Sequence, residues 1–167
     1  WMKVCFCSAW LWLITISLAP AMADMPIVTD GRAAAVILVG ANAGPVAYEA
    51  AEEIARLVEK ATGARLRIYP ENEFSAADKE YAADAATKIL VGETQTGRQM
   101  GIDISKLPDE GFIIKTSGKY LIIAGRDDKK SDAGWRYHRQ PGHMRGTWHA
   151  VCVFLEDYLG VRWLWPG

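Results

Sequence analysis

Three histidines and a cysteine fall close together near the end of this sequence: His138, His143, His149 and Cys152. Imidazole and thiolate are the usual zinc ligands, so a tetrahedral metal site is the chemistry open to them. The spacing does not favour it. His149 and Cys152 stand three apart on a helical run, but Cys152 belongs to that run's apolar stripe, and His138 and His143 sit on an unpatterned segment. The expectation is no metal ligand and no cofactor, with Cys152 in the core and the histidines at the surface.

Hydrolysis of a glycoside needs two carboxyl groups flanking one bond. Glu71 and Glu73 precede a helix start, Asp109 and Glu110 precede a strand, and Glu156 and Asp157 lie on the polar face of a helix. None has a partner implied by its position. There is no GxSxG and no Cys–His pairing at a strand end, so no catalytic residue is assigned. The segment GANAG, residues 40–44, joins a strand to a helix, where backbone N–H groups can cradle phosphate. It lacks the Lys-Ser/Thr pair of a P-loop, and Pro45 removes a donor, so a tight connection is the better reading.

One stretch has a richer surface chemistry. Residues 125–146, GRDDKKSDAGWRYHRQPGHMRG, interleave Lys129, Lys130, Arg136, Arg139 and Arg145 with Trp135 and Tyr137. Aromatic faces beside guanidinium groups can stack on and pair with an acidic sugar or a nucleic-acid strand; an exported protein seldom meets nucleic acid, which makes Trp135, Tyr137 and Arg139 the candidate carbohydrate-binding residues. Asp127, Asp128 and Asp132 dilute the basic charge, and the plainer alternative is a solvated loop with one Trp docked on its own domain.

The elements that must position these groups are legible in the hydropathy pattern. At 167 residues, 50% hydrophobic and 23% charged, with a net charge of −1, the chain has room for one domain and no global field for nucleic acid or an anionic membrane. The first 23 residues read as a secretory signal: Lys3, an apolar run over 4–18, then Pro20 and the small-x-small pattern Ala21-Met22-Ala23. That run is shorter than a bilayer span. Cleavage removes Cys5 and Cys7 and leaves a mature domain over 24–167, secreted or periplasmic, with Cys152 its one cysteine.

Residues 35–39, AVILV, form a β-branched run covered on both faces. Gly44-Pro45 opens a helix whose apolar face is Ala47, Ala50, Ala51, Ile54, Leu57, Val58 and Ala61, stopped by Gly63. Residues 65–69 alternate as a half-buried strand ended by Pro70, and Ser75 starts a weaker, Ala-rich helix. Residues 88–91 form a strand that leads through Gly92 and Thr94 into a brief helix or turn ending near Gly101. Residues 111–116 and 120–124 then make a hairpin about Ser117-Gly118-Lys119. After the loop, Trp148, Val151, Cys152, Leu155, Tyr158 and Leu159 make a second helical stripe, capped by Gly160, before a last extended segment over 161–165. The prediction is a single α/β domain, a mixed β-sheet with helices packed on it.

The ordered set VILVG, AAEEIARLVEKATGARL, ILVGET, GFIIKT…YLIIAGR, RGT and FLEDYLGVRW, ending in PG, resembles the N-terminal domain of α-glucuronidase-type glycoside hydrolases and is similar to the second domain of β-hexosaminidases. The resemblance spans residues 35–167. It implies a non-catalytic accessory domain ahead of a catalytic (β/α)8 barrel, acting in polysaccharide degradation, with Arg162, Trp163 and Trp165 facing that barrel. The implied partners are the barrel and a polysaccharide, with no nucleic acid and no membrane after signal cleavage. One departure stands out: 127–144 intervene where such domains run quickly from AGR to RGT. The alternative is a free-standing carbohydrate-binding module that uses exposed Trp and Tyr.

Overall fold

The computed structural model describes residues 25–72, 76–128 and 144–163. The expected signal at 1–23, Glu73, Ser75, Trp135, Tyr137, Arg139, His138, His143 and Trp165 lie outside the described residues.

A run of five apolar residues with three β-branched members satisfies a strand only where both faces are covered, and β3 (Ala35–Val39) is buried along its whole length. It lies inside a five-stranded sheet of order β4-β3-β5-β7-β6, with β4 at Arg67–Pro70, β5 at Thr87–Val91, β6 at Phe112–Ser117 and β7 at Tyr120–Gly125. The pairs β3–β4, β3–β5 and β5–β7 are parallel and β6–β7 is antiparallel, so the sheet is mixed, as the alternation of elements predicts.

Helices cover both faces. α1 (Pro45–Thr62) and α4 (Gly146–Leu159) lie on one face, where Ala50, Ala51, Ile54, Val58, Ala150, Val151, Phe154 and Leu155 meet Ile37, Val39, Ile89, Val91 and Ile123. Each of the larger of these side chains, fully buried, stabilises the fold by about 1.5–3 kcal/mol. On the other face Val36, Leu38, Leu90, Ile122 and Ala124 meet α2 (Ala76–Asp84), Ile102 and the 3-10 turn Ile104–Lys106. The cover here is thin, because α2 puts Ala82 against the sheet where α1 puts Ile54 and Val58. α1 returns the chain to β4 on one side of β3, and α2 carries it across to β5 on the other. The winding direction therefore reverses between β3 and β5.

Gly63 ends α1 at φ 76°, and its N–H donates to the Glu59 carbonyl at 2.8 Å. Gly160 does the same for α4 at φ 68°, and Val161 folds back onto the core with its N–H on the Leu155 carbonyl at 3.2 Å. Both are left-handed stops that a side chain would strain.

Four details differ from the sequence reading. The hairpin turn has two residues, since Ser117 pairs with Tyr120, and Gly118 takes φ 55° at the position where a tight hairpin requires glycine. The α4 stripe is rotated: Thr147, Ala150, Val151, Phe154 and Leu155 are buried, Trp148 and Cys152 are half-buried, and Tyr158 is 71% exposed. A bulky aromatic matches the hydropathy pattern from either side of the stripe's edge, so pattern alone did not fix the rotation. Residues 161–163 form no strand. Finally, a small hairpin of β1 (Val28–Thr29) and β2 (Arg32–Ala33), too short to carry a pattern, packs Ile27, Val28 and Ala33 against the α1/α4 face.

Candidate functional site

Open α/β sheets hold ligands outside the carboxyl ends of their parallel strands, where the winding reverses. Here that edge is bordered by the segments after β3, β4, β5 and β7, and among the described residues the chain's own groups occupy much of it. A Cβ built on Gly40 would stand 1.9 Å from the Glu93 carbonyl oxygen, so the connections after β3 and β5 touch backbone to backbone.

The neighbouring helix starts carry carboxylates. α3 (Gln95–Gln99) begins at Thr94, whose Oγ1 accepts from the Gly97 N–H at 3.0 Å. Glu71, just past β4, accepts from the Gln95 N–H at 2.5 Å, and from the Thr96 N–H at 2.7 Å and hydroxyl at 2.5 Å. This contact spans β3 and ties the two outer connections together. Asp127 stands in the same relation to α4 and accepts from the Thr147 N–H at 2.8 Å. Burial pushes the Asp127 carboxyl above its ordinary value, and the bonds from Thr147 and the charge of Arg145 pull the other way. A helix N-terminus favours negative charge, and at α3 and α4 this protein supplies it from within.

The long segment after β7 hangs from a closed neck. A Cβ on Gly125 would meet the Gly146 carbonyl carbon at 2.1 Å, and one on Gly146 would meet the Arg126 nitrogen and the Gly111 oxygen at 2.6 Å each. Thr147 Oγ1 accepts from the buried Gly125 N–H at 3.0 Å. Gly146 N–H donates to the Arg126 carbonyl at 3.1 Å and Asp128 N–H to the Met144 carbonyl at 2.9 Å, while Asp127 and Arg145 pair as an antiparallel bridge. Asp128 and Met144, which flank 129–143 in the sequence, are thus held side by side.

The candidate residues fall in separate places. Trp135, Tyr137, Arg139 and Trp165 are outside the described residues. Arg162 pairs with Glu156 at 3.3 Å, and Trp163 beside it is 41% exposed. Tyr158 stacks on Phe154 with ring centroids 5.3 Å apart. Tyr158, Arg162 and Trp163 thus lie at and just past the C-terminal end of α4. Asp109 pairs with Arg126 at 3.3 Å. Cys152 is half-buried, not in the core as expected, and burial pushes its thiol up to about 11, which keeps it protonated. Among the described residues, no three His, Cys, Asp or Glu side chains gather where they could hold a metal ion, and no helix is long and apolar enough to cross a membrane.

The roles of Glu71 and Asp127 were not visible in the sequence. Each lies just past a strand and caps a helix distant in the chain, 24 and 20 residues on respectively. A carboxylate directly after a strand is the available signal, but it names no partner.

No family model matches the chain, and no curated protein or solved structure matches it.

Proposed function

We propose that this chain is a non-catalytic N-terminal accessory domain of an exported glycoside hydrolase, docking on a catalytic (β/α)8 barrel. The observation that supports the reading best is the occupied ligand edge. Gly40 abuts the Glu93 carbonyl, Glu71 fills the start of α3 and Asp127 fills the start of α4, so the described part of that edge is spent on internal structure. An edge satisfied in this way suits a scaffold.

The resemblance to α-glucuronidase N-terminal domains supplies the rest of the reading. Two of its segments, AGR at 124–126 and RGT at 145–147, are distant in the chain and lie against each other through Gly125 and Gly146. Tyr158, Arg162 and Trp163 offer the docking surface, with two large aromatic side chains left in water at one end of α4. Exposed large apolar side chains are common at interaction sites.

The coding sequence downstream of codon 167 tests the proposal. A frame continuing into repeated strand–helix alternation of a barrel supports it, and an immediate stop codon overturns it. In that second case the free-standing carbohydrate-binding module becomes the reading to test, by Trp fluorescence on adding polysaccharide.

A further inference from the structure

The thinly covered face of the sheet holds a groove of about 220 Å³, lined by Leu38, Glu71, Lys79, Ala82, Ala83, Lys88, Thr96 and Tyr120. It exists because α2 faces the sheet with alanines: Ala82 and Ala83 leave open the space that longer side chains would fill. One residue in it is out of place. Lys88 lies on the central strand β5, between Val36 and Tyr120 on the adjacent strands and two residues before Leu90; on this face the outer strands carry Arg67 and Lys115, while the other residues of the three central strands are Val36, Leu38, Leu90, Tyr120, Ile122 and Ala124. Its side chain is half-buried, and among the described residues no carboxylate forms an ion pair with it. Glu71 lines the same groove, but both its oxygens are engaged by Gln95 and Thr96. Burial and the nearby Lys119 both disfavour the Lys88 charge.

Lys88 and Lys79 bring two ammonium groups to the groove against the one carboxylate, Glu71, among the described residues lining it, and that carboxylate is already bonded to the start of α3, so an added anion is drawn to the lysines. We propose that this groove is a binding site for a small organic carboxylate, its charge between Lys88 and Lys79 and its apolar body against Leu38, Ala82 and the Tyr120 ring. A carboxylate fits better than a phosphate. Phosphate sites draw on backbone N–H groups at helix starts, and the start bordering this groove, that of α3, is taken by Glu71. The Glu71 charge also opposes a dianion more than a monoanion. This site rests on the groove alone and stands or falls independently of the accessory-domain reading.

The test is NMR titration of the isotopically labelled chain with benzoate, its neutral counterpart benzamide, and inorganic phosphate. Benzoate is expected to shift the signals of Leu38, Ala82, Ala83, Lys88 and Tyr120 saturably, with benzamide and phosphate weaker by at least about tenfold, the worth of one charge-assisted hydrogen bond. Lys88→Met keeps the aliphatic stem and is expected to lose at least about tenfold in benzoate affinity, while Lys88→Arg retains binding. No saturable shift with benzoate, benzamide or phosphate binding as tightly as benzoate, or unchanged affinity in a folded Lys88→Met chain would each overturn the site.

Discussion

Substituting alanine for Gly125 tests how α4 is docked, because at that point two backbones meet with no side chain between them. The added Cβ would lie 2.1 Å from the Gly146 carbonyl carbon and 2.4 Å from the Thr147 nitrogen. Carbon atoms pack at about 3.5–4.0 Å, so the start of α4 must retreat by more than about 1 Å. That retreat breaks the buried bond from the Gly125 N–H to Thr147 Oγ1, at about 1–3 kcal/mol, and adds overpacking strain of about 1–3 kcal/mol. The expected loss is about 3–5 kcal/mol, or roughly 10–20 °C in Tm for a domain of this size. Thermal unfolding followed by circular dichroism measures it, with Gly44→Ala as the control. Gly44 has negative φ, and its added Cβ would meet nothing closer than the Asp128 oxygen at 4.0 Å, so that change should cost under about 1 kcal/mol. If Gly125→Ala melts within about 2 °C of the parent chain, the direct backbone contact between β7 and α4 is refuted.

Replacing 129–143 by Asn-Gly should leave the fold intact and Tm within a few degrees, because Asp128 and Met144 are already joined at 2.9 Å as hairpin neighbours; polysaccharide binding that disappears with this excision would assign it to Trp135, Tyr137 and Arg139. Cys152, with its thiol near 11 against about 8.5 for a free one, should react with iodoacetamide at pH 8 at least about a hundredfold more slowly in the folded chain than in urea, and equal rates would refute its protected environment. The Asp127 carboxyl is raised in the folded state, so its contribution is fully present below its unfolded value and is lost as pH rises through its folded value. Asp127→Asn should therefore flatten the fall in stability above about pH 4, as read from urea midpoints at a series of pH values, and an unchanged profile would refute the burial argument.

Much of the fold was legible because its signals are local. The β-branched run at 35–39, the 3.6-residue period after Pro45 and the glycines at 63 and 160 each carry their own physical meaning and are where the pattern placed them, except that Ala61 at the end of the expected apolar face is exposed and Leu57 is half-buried, because the last turn of α1 runs past the sheet. The α2 helix was read as weak from its alanines, and the groove left beside Ala82 and Ala83 is the spatial consequence of that composition. The site was less legible. GANAG was recognised as a tight connection, but nothing in those five residues announces that Gly40 must clear the Glu93 carbonyl. Glu71 was weighed as an unpaired carboxylate because its partners lie on a helix that begins 24 residues later. The rotation of α4 was misjudged for a related reason: Phe154 and Tyr158 fall on one side of the helix, and only the sheet beneath decides which of the stacked rings is covered.

The sequence by itself determined the longer strands and helices, the glycine stops of α1 and α4, and their alternation as an α/β domain, because propensity, periodicity and capping act within a few turns of chain; it did not determine the short β1–β2 hairpin or the irregular course of 161–163. Tertiary structure alone decided the order β4-β3-β5-β7-β6, the bonds of Glu71 and Asp127 to the starts of α3 and α4, the close approach of Gly40 to Glu93, and the meeting of Lys88, Lys79 and Glu71 in one groove. Those features depend on which distant groups come within a few ångströms of one another, and hydrogen bonding, steric contact and charge act over that distance in space regardless of separation along the chain.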